Sequence, residues 1–120
     1  MKIAIPTSGH DLDAPLDGRL GRAERFLVID ATDLTWEVVD NTAQSQASQG
    51  AGIQAAQALI KAGATRVIAT HCGPKAFAVF QAAGVEVYQS DSGRLRGILE
   101  AFLTGGLPRL SGPDHPGHAA

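Results

Sequence analysis

Between Ala51 and Gln89 the chain twice passes from a helical period to a short uninterrupted apolar run: "AGIQAAQALIKAG", "RVIAT", "GPKAFAVFQAAG", "VEVYQ". An apolar run of strand length, without polar alternation and bounded by turn residues, is the pattern of a parallel strand covered on both faces. Parallel neighbours must be joined by a crossover. When the crossover is a helix it is right-handed and lies on the sheet. The alternation therefore predicts an α/β layered fold.

The remaining segments fit around that unit. In the first helix Ile53, Ala56 and Ile60 share one face with Leu59 beside them, and Gly63 is placed to end it. Pro74 suits the first turn of the second helix and Gly84 its C-terminal cap. A third helix from Gly93 carries Leu95, Ile98, Leu99, Phe102 and Leu103 as one amphipathic stripe. Upstream, "KIAIP" is a short apolar strand, "RFLVID" a strand apolar enough to be covered on both faces, and "TWEVVDN" a strand with mixed faces. The last two read as a hairpin. The order βββαβαβα predicts a five-stranded mixed sheet in the order 3-2-1-4-5, strand 2 antiparallel, with helices on both faces, a ribonuclease H-like arrangement. Residues 1–105 form the expected domain. From 106 to 120 periodicity is lost and Gly and Pro gather, which predicts a flexible tail.

At 120 residues the chain is one domain's worth. A formal charge of −2 gives no pull toward nucleic acid or an anionic membrane. Its single cysteine forms no internal disulfide. "MKIAIPTSG" has only a short apolar run before Pro6, unlike a signal peptide, and no stretch approaches the ~20 apolar residues of a membrane span. The expectation is a soluble cytoplasmic protein, a monomer or weak homodimer, since Glu37 and Asp40 oppose pairing of the exposed third strand.

The topology gathers the chemistry-bearing residues. Strands 1, 3, 4 and 5 run parallel, so the loops after them converge at one edge of the sheet, where open α/β sheets bind ligands. Three helices begin there with unpaired N–H groups, a natural anion site. His10, His71 and Cys72 are the candidate soft ligands near this edge, and Arg19, Arg22, Lys75, Arg94 and Arg96 its cations, partly offset by Asp11, Asp13 and Asp17. Gly50 and Gly52 open a helix in a "GAG" that either cradles an anion or permits close packing.

Several functions remain compatible with these residues. Cys72 before a helix N-terminus is either a small core residue or a thiol of lowered pKa, open to metal or to nucleophilic chemistry. One Cys and one His make half a tetrahedral site, so a closed structural zinc is not expected. A nuclease would need acidic residues on the central strands, and "KIAIP" and "RVIAT" have none. A thiol enzyme using Cys72, and a regulatory module binding a small anionic metabolite at the Gly-rich helix starts, both stand as alternatives.

"KIAIPTSG", "GRLGRAERFLVID", "VVDN", "GAGIQAAQALIKAG", "GPKAF" and "AAGVEVY", in this order, resemble the dinitrogenase iron–molybdenum cofactor biosynthesis family, which includes NifX-type carriers and the C-terminal domain of NifB-type proteins. The resemblance covers residues 1–105 and implies the same fold. It also implies a non-catalytic role in cofactor assembly for nitrogen fixation: binding or carrying an iron–sulfur or iron–molybdenum-type cluster, or its precursor, with cofactor-assembly proteins as partners. On that reading Arg19 to Arg22, Gly50 to Gly52 and Gly73-Pro74 shape the site, and His71 and Cys72 are the candidate metal ligands. The family's loop usually reads Arg-Phe-Gly-Arg, where this chain has Leu20.

Overall fold

In a computed structural model, described for residues 1–42 and 50–112, five strands and three helices follow in the expected order. They are β1 (Lys2–Thr7), β2 (Arg25–Asp30), β3 (Trp36–Asp40), α1 (Ala51–Lys61), β4 (Arg66–Ala69), α2 (Pro74–Ala82), β5 (Glu86–Gln89) and α3 (Leu95–Leu103). The sheet order is β3-β2-β1-β4-β5. β2 is antiparallel to both neighbours, while β1, β4 and β5 run parallel.

Side-chain alternation along the strands builds two cores. Phe26 and Val28 of β2 face one side with Ala4, Val67 and Val87, under α1 and α2. Leu27 and Ile29 face the other with Ile3, Ile5 and Ile68, under α3. All four β2 residues are buried, so its unbroken apolar run was the correct sign of cover on both faces. β3 is an open edge, with Trp36 and Val38 exposed, which explains its mixed composition.

Two details depart from the periodic reading. The buried stripe of α1 is Ala51, Ala55, Ala56 and Leu59, leaving Ile53 and Ile60 only partly covered. Alanine lets that helix sit close to the sheet and to α2, and the larger isoleucines fall to its flanks. In α3 the stripe ends early, because Leu103 at the last position is exposed. α1 and α2 end as expected: Gly63 and Gly84 have φ of +92° and +75°, a conformation that strains any residue with a Cβ.

The segment read as a flexible tail is described as far as Gly112, and that part is docked. Gln89 N–H donates to Pro108 O at 2.9 Å, and Leu110 N–H to Val87 O at 2.8 Å. Leu107 packs against one core and Leu110 against the other. Gly and Pro punctuation hid this: Leu107 and Leu110 anchor a strand-like addition with no period of its own. His115 and His118 lie outside the described residues.

Candidate functional site

The first loop decides which helix starts are open. Leu16 N–H donates to Gly93 O, Leu95 N–H to Ala14 O, and Arg96 N–H to Leu12 O. Residues 12–16 are thus folded over the N-terminus of α3 and consume its leading donors. Arg94 and Arg96 are drawn the same way, to the carbonyl and carboxylate of Asp13. Among the described residues the expectation of three open helix starts is corrected to two.

α1 and α2 remain. Their N-caps are Gly50 and Gly73, and neither has a side-chain cap. First-turn N–H groups have no partner within a helix, so both starts present donors and the positive end of the dipole. Between them lies a cavity of about 520 Å³, lined by Gly18 to Arg22 from the first loop, Gly50 to Ile53 from α1, and His71 with Gly73 to Ala76 from the start of α2. That volume lies within the range of small-molecule sites.

The loop wall is built on a tight turn. Arg22 N–H donates to Arg19 O at 3.2 Å, which sets the two arginines at the ends of one turn. Arg19 also bridges to His71 along the backbone, joining the loop to the end of β4. Leu20 points down into the core. Asp17 accepts from Nε and Nη2 of Arg19, each at 3.2 Å, a two-point pairing that fixes the guanidinium at the rim. Among the described residues the lining itself carries three cations, Arg19, Arg22 and Lys75, and no carboxylate, with Asp17 paired to Arg19 just outside it. Its other walls include glycine backbone and the apolar side chains of Ile53, Pro74 and Ala76.

Of the residues singled out in the sequence, Arg19, Arg22, Gly50, Gly52, His71 and Gly73 line this one cavity; His10 and Cys72 do not. His10 is exposed elsewhere, its carbonyl accepting the indole N–H of Trp36 at 3.0 Å. Cys72 is fully buried in the α1–α2 core. Burial pushes its thiol up to about 12, the reverse of the lowering expected from the helix N-terminus. A strand end turns successive side chains to opposite sides, so with His71 at the cavity Cys72 must enter the core. This placement disfavours both thiolate ligation and a thiol nucleophile. Residues 43–49, a stretch without a charged side chain between β3 and α1, lie outside the described residues. Gly18, Ile53 and Ala76 were missed as lining; the alanine stripe of α1 was the signal that Ile53 faces elsewhere.

Among the described residues no three His, Cys, Asp or Glu side chains converge as a metal site. The arrangement therefore suits an anion of several ångströms, held by amides and cations, with His71 as the one imidazole in the lining among the described residues. No helix among the described residues is long and apolar enough to cross a membrane.

The whole architecture recurs in solved structures. The apo form of the orange protein from Desulfovibrio gigas superposes with a TM-score of 0.91 at 43% identity, covering 95% of this chain and 96% of that one. A Thermotoga protein with a provisional NifB assignment gives 0.83 at 34% identity, covering 97% and 98%. An uncharacterized protein of Methanocaldococcus jannaschii is 29% identical over 113 residues, 92% of each chain. The family of the dinitrogenase iron-molybdenum cofactor matches residues 1–105, nearly the whole described domain, and the chain belongs to that family.

Proposed function

We propose that this chain is a non-catalytic carrier that binds an iron–sulfur or molybdenum–iron–sulfur cluster, or its precursor, and passes it on during metal-cofactor assembly. The observation that carries this reading is the cavity between two uncapped helix starts, with three cations and no carboxylate among the described residues of its lining. Metal–sulfur clusters are commonly anionic, and backbone N–H groups and guanidinium groups suit their sulfides. With Cys72 in the core, the cluster brings most of its own ligands, and His71 supplies at most one. Such a hold is reversible, as a carrier requires. Membership of a cofactor-named family, and likeness to a protein known in an apo form, support the same reading.

The test is anaerobic. Apo-protein is mixed with an iron–sulfur or molybdenum–iron–sulfur cluster and desalted, then assayed for metal and visible absorption. Retention that weakens with salt and in Arg19→Gln or Arg22→Gln, and persists in Cys72→Ala, is the expected result. Retention of no cluster overturns the reading. Binding of phosphate or a carboxylate metabolite in its place would instead make the chain a small-anion module at the same helix starts.

A further inference from the structure

The wall formed by Gly18 to Arg22 has no regular secondary structure of its own, so something outside it must fix its position. Asn41, immediately after β3, is 1% exposed and is one of two buried polar side chains in the described chain. Its side-chain Nδ2 donates to Ala23 O at 2.8 Å and to Gly21 O at 3.3 Å, and its backbone N–H donates to Glu24 O at 2.9 Å. Three donors of one residue thus gather one carbonyl inside the Arg19–Arg22 turn and two just after it. On its other side the same turn is pressed onto α1, where Gly21 meets the backbone of Ala51 and Gly52.

The amide oxygen shows what this residue is for. Oδ1 of Asn41 is buried and accepts no hydrogen bond among the described residues. An aspartate of the same shape would offer no donor when ionised, and leucine none at all. Of the three, only the amide delivers both N–H groups to the two carbonyls. We infer that Asn41 is the positioning residue of the cavity. Through Gly21 and Ala23 it holds the Arg19–Arg22 turn against the start of α1, and so sets the width of the site and the placement of its two arginines. The inference rests on the carrier reading for what the cavity holds, but its geometric half does not.

The experiment uses full-length ¹⁵N-labelled protein with Asn41→Leu and Asn41→Asp, and Val28→Ala as a core variant whose side chain makes no hydrogen bond to the loop. Amide shifts are recorded without cargo. Retention of a molybdenum–iron–sulfur cluster is then measured under conditions where each protein is folded. The expected result is a shift change concentrated at Gly21, Arg22 and Gly52 in both Asn41 variants, with retention falling about tenfold to a hundredfold. Val28→Ala should lose stability and keep retention. If Asn41→Asp fails to fold, Asn41→Leu, which buries no charge, decides alone. Unchanged shifts at Gly21 and Gly52 overturn the inference, as does unchanged retention beside shifted amides, or an equal loss in Val28→Ala. If the wild type retains neither a molybdenum–iron–sulfur nor an iron–sulfur cluster, the carrier reading fails, and the amide shifts still decide whether Asn41 positions the turn.

Discussion

A Cβ built on Gly21 would lie 2.7 Å from the backbone nitrogen of Gly52 and 2.9 Å from its Cα. Backbone meets backbone where the arginine turn crosses the first turn of α1, and neither partner can yield as a flexible side chain would. Gly21→Ala should therefore lift the turn, costing about 1–3 kcal/mol in urea denaturation and weakening cluster retention. Gly52→Ala is the contrast. Its Cβ would meet only the Ala76 Cβ at 3.5 Å, an ordinary contact, so the fold should be kept while the floor of the cavity rises. Two alanines one contact apart then give different patterns: stability and retention lost together in the first, retention lost with stability kept in the second.

Cys72 makes a prediction on the alkaline side. Burial raises its thiol to about 12 from an ordinary value of 9.0. The unfolded chain therefore releases its proton first as pH rises, and the folded state holds it longer. The stabilisation is fully present below pH 9.0 and is lost between there and about 12, at up to ~1.4 kcal/mol per pH unit. Urea midpoints from pH 8 to 11 should fall more steeply for the wild type than for Cys72→Ala. Parallel curves would mean that the thiol is not desolvated.

The sheet was legible because its signals are local: unbroken apolar runs for β2 and β4, helical periods between them, and Gly at the helix ends. The cavity was legible in part, since topology brings Arg19, Arg22, Gly50, Gly52, His71 and Gly73 to one edge wherever their side chains point. Direction was the missing quantity. Cys72 and His71 are neighbours in sequence, yet one lies in the core and the other at the cavity. His10 belongs to a loop whose path is set by the carbonyls that cap α3. Those are tertiary hydrogen bonds, and no period in the sequence encodes them.

The docked segment after α3 carries its own prediction. Glu86 on β5 accepts from Tyr88 Oη at 2.7 Å, pairs with Arg66 at 2.9 Å and reaches Arg109 at 3.4 Å. The tyrosine hydroxyl and then the two arginines hold its carboxyl below the usual carboxylate range. Its contribution is thus present above the ordinary carboxylate pKa and is lost as pH falls through the depressed one. Glu86→Gln should flatten the acid limb of the stability curve. Ending the chain after Gly105 removes Leu107 and Leu110 and should cost roughly 2 kcal/mol. It also uncovers the β5 edge, so sedimentation should show concentration-dependent association absent from the full chain.

Lys75 separates the site from the fold most sharply. It follows Pro74 in the first turn of α2 and lines the cavity. That turn has no acidic residue, so the positive end of the helix is left uncompensated. Lys75→Glu would place a carboxylate where the dipole favours it, a gain of about 0.3–1 kcal/mol. The same change turns a cation of the lining into an anion facing the cargo. Stability and function should then move in opposite directions: a higher urea midpoint together with cluster retention reduced about tenfold, the loss shrinking as salt screens the cavity. A variant that gained stability and still held its cluster would show that the charge of this wall does not act on the cargo.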